Sequence, residues 1–160
     1  MAWWRGSTER RRNGPPAWPL EGGPARVRVL IEHPDPATQD LLATGLRAHG
    51  YAVLTCGGPR STDGTELSCP LLRHAPCGGV SGADAVLSCF DWSAPEERLI
   101  LRRMAGEVPR PAIVLGPISR ASAEHLADVV IEGLVSAASI SQVTEALAAL
   151  DLRPSRRETT

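Results

Sequence analysis

Residues 27–50 read VRVLIEHPDPATQDLLATGLRAHG, and the fold turns on how this stretch changes period halfway along. Val27, Val29, Leu30 and Ile31 form a short apolar run, the mark of a strand. Asp35 followed by Pro36 is an N-cap with proline at the first helical position, where a missing N–H is no loss. Leu41, Leu42 and Leu46 then fall on one helical face, and Gly50 closes the helix. Tyr51 to Thr55 begins a second strand, so the segment is a strand–helix–strand unit.

The alternation continues along the chain. Ala85–Val86–Leu87 runs on to Phe90 as a third strand. Ser93 with Glu96 has the spacing of a capping box and predicts a helix carrying Leu99, Ile100 and Met104, ended by Gly106. Ala112 to Leu115 is a fourth strand, and Ser119 or Ser122 starts a helix through Leu126. A fifth strand falls within Val129 to Val135. Ser139 and Gln142 then cap a helix with Ile140, Val143, Leu147 and Leu150 on one stripe. The strands are short, apolar and not alternating, as strands covered on both faces should be. The expected architecture is α/β: a flavodoxin-like three-layer sandwich around a five-stranded parallel sheet in the order 2-1-3-4-5. In that order a ligand site lies at the carboxyl ends of strands one, three and four. Those ends hold Glu32, His33 and Asp35, then Cys89 to Asp91, then Gly116.

Around this core, 160 residues leave room for tails. Residues 1–25 are rich in Pro, Gly and Arg and read as a disordered leader, residues 26–152 as the domain, and residues 153–160 as a disordered tail. Each tail carries +2 against a chain total of −1, which leaves −5 for the body. An acidic body argues against a nucleic-acid surface. No run approaches the roughly 20 apolar residues of a membrane span. The first residues lack the apolar region of a secretory signal, so the expectation is a cytoplasmic protein with reduced cysteines. Trp3, Trp4 and Trp18 are unusual in such a leader; they suit packing on the domain or a short partner-binding motif. All 17 basic residues are Arg, which removes every mechanism that needs a lysine. No Gly-x-Gly-x-x-Gly follows a strand and no Gly-x-Ser-x-Gly elbow occurs. No convincing acid–base or nucleophile set emerges, and no cofactor is implied.

The segment Val27 to Gly50 resembles the first strand and helix of bacterial response-regulator receiver domains, and Tyr51–Ala52–Val53 fits the strand that follows. Gly82 to Leu87 is similar to the family's entry to strand three, Pro111 to Leu115 to strand four, and Glu132 to Val135 with Ser139 to Leu150 to the last strand and helix. The resemblance covers about residues 26–151. It implies two acids after strand one for Mg²⁺, an acceptor Asp ending strand three, a hydroxyl after strand four and a lysine after strand five. This chain departs from that set. Anchoring on Pro36 puts His33 and Pro34 at the acidic pair, and anchoring on Pro34 puts Ile31 and Glu32 there. Cys89 falls at the acceptor position, with Asp91 two residues later. Gly116 stands where the hydroxyl belongs and Ser136 where the lysine belongs. The expectation is a pseudo-receiver, with Asp91 an acceptor only if the register slips by two.

Receivers carry a regular helix between strands two and three. Here Cys56–Gly57–Gly58–Pro59 leads, through a polar stretch, to Cys69–Pro70–Leu71–Leu72–Arg73–His74–Ala75–Pro76–Cys77. Pro70 and Pro76 leave room for barely one turn, so the second helix is short or replaced by a loop. Three readings stay open for its cysteines. They pack the loop on the sheet; or Cys69, His74 and Cys77, with Cys56 as a fourth candidate, bind a metal; or Cys69 and Cys77 form a reversible disulfide.

The function expected is that of a stand-alone, non-enzymatic signalling protein that binds another protein, or itself, through residues 119–151. The alternatives are a thiol- or metal-based sensor in the Cys56–Cys77 segment and a flavodoxin-like small-ligand or nucleotide-binding domain.

Overall fold

Each strand needs a helix to carry the chain back across the sheet, and local chemistry sets where those helices begin. In the computed structural model, which describes residue 18 and residues 26–59, 69–116, 135–136, 140–150 and 152–154, the first helix starts where the sequence places it. The elements are β1 (Arg28–Glu32), α1 (Pro36–Ala48), β2 (Ala52–Cys56), a 3-10 turn (Pro70–Arg73), α2 (Gly78–Ser81), β3 (Ala85–Ser88), α3 (Pro95–Ala105), β4 (Ala112–Leu115), β5 (Val135–Ser136) and α4 (Ile140–Ala149). The strands form a parallel sheet ordered β2-β1-β3-β4-β5, with the fifth place held by two residues. This is the flavodoxin-like order expected from the sequence.

Asp35 caps α1: its carboxylate accepts the Thr38 N–H at 2.9 Å. The other end closes with Gly50 at φ +88°, its N–H on Arg47 O at 3.0 Å and the Tyr51 N–H on Leu46 O at 3.2 Å. That pair of bonds is a Schellman ending, which glycine permits at no steric cost. The buried line of α1 is Gln39, Ala43 and Leu46. Leu41 is 63% exposed, which corrects the expected Leu41–Leu42–Leu46 face. It stands two residues from Ala43, about 200° round the helix.

α3 departs from expectation at its start. Ala94, not Ser93, is the N-cap. Asp91 instead takes the Ser93 N–H at 3.0 Å and its hydroxyl at 2.6 Å, so both side chains close the preceding loop. Ile100, Leu101 and Met104 are buried, while Leu99 is on the outer side. Between β2 and β3 the described residues hold only the 3-10 turn and the four-residue α2, the short second helix that Pro70 and Pro76 predict. His74 turns the chain there with φ +58°.

The two faces of the sheet carry separate cores. On one, Val29, Ile31, Ala85, Leu87 and Val114 meet Ala43 and Leu46 of α1 and Val143 and Leu147 of α4. On the other, Leu30, Val86, Ile113 and Leu115 meet Leu71, Cys77, Val80, Trp92, Ile100, Leu101 and Met104, with Trp18 packed alongside. Alternation along each strand sorts the residues between them. Apart from Trp18, the 1–25 leader lies outside the described residues. So do the helix expected from Ser119 or Ser122 to Leu126, residues 129–134 and the Ser139 cap. No helix among the described residues is long and apolar enough to cross a membrane.

Candidate functional site

The strand register joins the site residues into one rung. Glu32 pairs with Cys56 on one side and Ser88 on the other; Ser88 pairs with Leu115, and Leu115 with Ser136. This is the carboxyl edge of the sheet, where doubly wound folds place ligands.

Glu32 is 3% exposed and accepts a 2.6 Å hydrogen bond from the Ser88 hydroxyl. Burial pushes its carboxyl up to about 7; the Ser88 bond pulls the other way, and Glu97 on α3 adds to the rise. His33 follows, its N–H on Cys56 O at 3.1 Å and its Nδ1 accepting the Asp35 N–H at 3.0 Å. Gln39 donates to His33 O and fixes the turn. Asp35 is occupied as the α1 cap, and the Thr38 hydroxyl and N–H hold it below the usual carboxylate range. Neither His33 nor Asp35 supplies a second acid beside Glu32.

Cys89 lies just past β3, its N–H on Glu32 O at 2.8 Å. A Cβ built on Gly116 would clash with Cys89 Sγ. The thiol therefore fills the space a residue-116 side chain would need. Burial, with Glu32 second, pushes the Cys89 thiol up to about 12, so it is not a thiolate nucleophile at neutral pH. Asp91 is exposed and engaged with Ser93. Gly116 is buried with its N–H on Ser88 O at 2.8 Å, and Ser136 closes β5 beside Leu115. Of the expected cleft residues Glu32, His33, Asp35, Gly116 and Ser136, Glu32 and Gly116 are buried and Asp35 is exposed.

Sequence reading missed Ser88 and Glu97. Once the order 2-1-3 is taken, register alone aligns Ser88 with Glu32, so the first signal was present. Glu97 depends on where α3 packs, which no spacing reveals.

The cysteine segment packs against the sheet. Cys77 is buried in the second core, with Cys56 and Cys69 against it. Burial is the first cause raising all three thiols, Cys56 to about 12. All four cysteines are free. Among the described residues no three His, Cys, Asp or Glu side chains are placed to hold a metal ion, which corrects the set Cys56, Cys69, His74 and Cys77. His74 instead accepts a 3.0 Å hydrogen bond from Arg103 on α3. A shallow depression of about 380 Å³ opens beside them, lined by Leu71, Pro76 and Glu107 among others, and no strand-end residue lines it.

No protein-family model matches the chain, and no curated protein does. Solved structures do. The N-terminal domain of an uncharacterized protein from Wolinella succinogenes superposes with a TM-score of 0.52 at 12% identity, covering 78% of this chain and 93% of that one. The signal receiver domain of a protein described as a Luxo repressor, from Vibrio parahaemolyticus, gives 0.49 at 12% identity, with 78% and 88% covered. At such identity the likeness is one of fold. With its sheet order β2-β1-β3-β4-β5, the chain has the flavodoxin-like fold expected from the sequence.

Proposed function

We propose that this chain is a receiver-like regulatory module that acts by binding another protein and does not receive a phosphoryl group. The observation that carries the reading is the filled space at Gly116. The position that would sense a phosphoryl oxygen has no side chain, and the Cys89 thiol occupies its room. Three features add support. A single buried, hydrogen-bonded Glu32 stands where two solvated acids would be needed; the acceptor position is a cysteine; and the chain has no lysine. A site built this way keeps the fold as a scaffold and leaves function to the surface. Residues 119–151, including the outer side of α4, are the proposed partner face, for a heterologous protein or a second copy. The proposed setting is the cytoplasm, and the role is non-enzymatic.

Burial and raised thiols at Cys56 and Cys77 weigh against a thiol sensor, because the reactive species is the thiolate. The test is an intact mass spectrum after incubation with Mg²⁺ and acetyl phosphate. An unchanged mass is expected. A gain of one phosphoryl group overturns the reading, and its loss in Asp91→Asn would place the acceptor.

A further inference from the structure

Away from the strand ends, at the amino-terminal side of the sheet, the structure holds a tryptophan whose neighbours in sequence belong to the leader. The Trp18 indole N–H donates to Gly79 O at 2.9 Å. A Cβ on Gly82 would clash with the indole Cδ1 and Nε1 of Trp18, so the ring edge sits where only glycine leaves room. The Arg28 guanidinium lies 5.4 Å from the ring centroid. Each contact selects for a different property. The carbonyl asks for an N–H donor, the missing Cβ for a flat group at close approach, and the guanidinium for an aromatic face. Together they select tryptophan.

The notch is held by hydrogen bonds that do not involve Trp18. Gly82 N–H donates to Gly78 O at 3.1 Å and Ala83 N–H to Val80 O at 3.0 Å. Arg28 N–H donates to the Asp84 carboxylate at 2.8 Å, and Asp84 N–H returns to Arg28 O at 2.9 Å. Such a site is preorganised and does not need its occupant to take shape. The occupant, by contrast, is linked to the domain through seven residues, 19–25, that include Pro19, Gly22, Gly23 and Pro24. In sequence the anchor is PPAWP, residues 15–19, and prolines on both sides reduce the conformational entropy lost when an extended peptide docks.

We propose that the Arg28–Gly79–Gly82 notch is a binding site for a proline-flanked tryptophan peptide. Trp18 is its resident ligand in cis, and a partner bearing such a segment binds by displacing the leader. The proposal is independent of the strand-end reading: the two sites lie at opposite ends of the sheet and share no residue. Residence in the same chain makes the binding of Trp18 intramolecular, so a foreign peptide competes on unequal terms until the leader is removed.

The experiment uses the full-length, ¹⁵N-labelled chain and an unlabelled synthetic peptide of residues 12–24, RNGPPAWPLEGGP. With Trp18→Ala in the chain, the peptide should give saturable amide shifts at Arg28, Gly79 and Gly82. The same peptide with alanine for tryptophan should give none. The wild-type chain should need about tenfold more peptide, because the leader competes. In that titration its own Trp18 indole N–H signal should move as the leader is displaced. No saturable response in Trp18→Ala at millimolar peptide overturns the proposal. So does equal binding by the two chains, or a response that survives Gly82→Ala in the Trp18→Ala chain. Should Trp18→Ala fail to fold, the wild-type indole signal decides alone: movement supports displacement, and a fixed signal overturns it.

Discussion

The two faces of the sheet are covered in different ways. One lies under two helices, α1 and α4, and its core is aliphatic: Val29, Ile31, Leu46, Leu87, Val143 and Leu147. Among the described residues the other lies under α3, a 3-10 turn and a four-residue helix, and its core holds Trp92, Phe90, Met104, Cys77 and part of Trp18. Where the described residues form only short helical turns, large and sulfur-bearing side chains fill the irregular space beneath them. Glu32 and Ser88 point to this same face by alternation along their strands. The ordinary face supports the fold. The irregular face carries a buried ionisable rung and, at its edge, the tryptophan notch.

Four experiments probe that contrast, and Trp92→Ala should have the largest effect. Trp92 is fully buried and packs edge-on against Phe90 with ring centroids 6.2 Å apart. Truncation should cost about 3–5 kcal/mol in denaturant unfolding. A cost near 1 kcal/mol would show that the irregular face is loosely filled and would break the comparison.

The second concerns pH. Glu32 has its proton held more tightly in the folded chain, about 7 against an ordinary 4.5. The folded state therefore binds the proton better, and the contribution of Glu32 to stability is fully present below pH 4.5. It should fall by about 3 kcal/mol as pH rises through the window to just above 7. Glu32→Gln should flatten this part of the profile, whereas Leu46→Ala on the other face should shift the curve without changing its slope. A profile unchanged in Glu32→Gln would assign the slope elsewhere.

Third, Gly116→Ala should cost about 1–3 kcal/mol by overpacking against Cys89 Sγ. Cys89→Ala should recover most of that loss in the double variant, a coupling that a double-mutant cycle measures directly. Additive effects would mean that the thiol moves aside freely. The smallest effect belongs to the regular side. Asp35→Ala removes the α1 cap and should cost about 1 kcal/mol, read as a small drop in Tm.

Much of this architecture was legible in the chain. Asp35–Pro36 and Gly50 set the ends of α1 because caps and left-handed endings depend on a few adjacent residues. Pro70 and Pro76 announced the missing helix because proline acts on its own backbone. The apolar runs of β1, β3 and β4, separated by helical stretches, implied a parallel sheet and its order. Other readings depended on angle and partner. Leu41 looked like a core residue, yet a shift of about 100° per residue carries it to the outside. Ser93 had the spacing of a cap, but Asp91 competed for its hydroxyl. Sequence by itself determined what was absent, namely lysine, an acid adjoining Glu32 in the chain and a hydroxyl at 116, since the order of residues is independent of fold. Only the tertiary structure decided that Cys89 fills the Gly116 space, that Glu97 comes near Glu32, that the Ser88 hydroxyl bonds the Glu32 carboxyl, and that Trp18 crosses back to Gly79 and Gly82. Those contacts join residues 27 to 65 positions apart in the chain, and packing, which alone brings such residues together, leaves no local signature in the sequence.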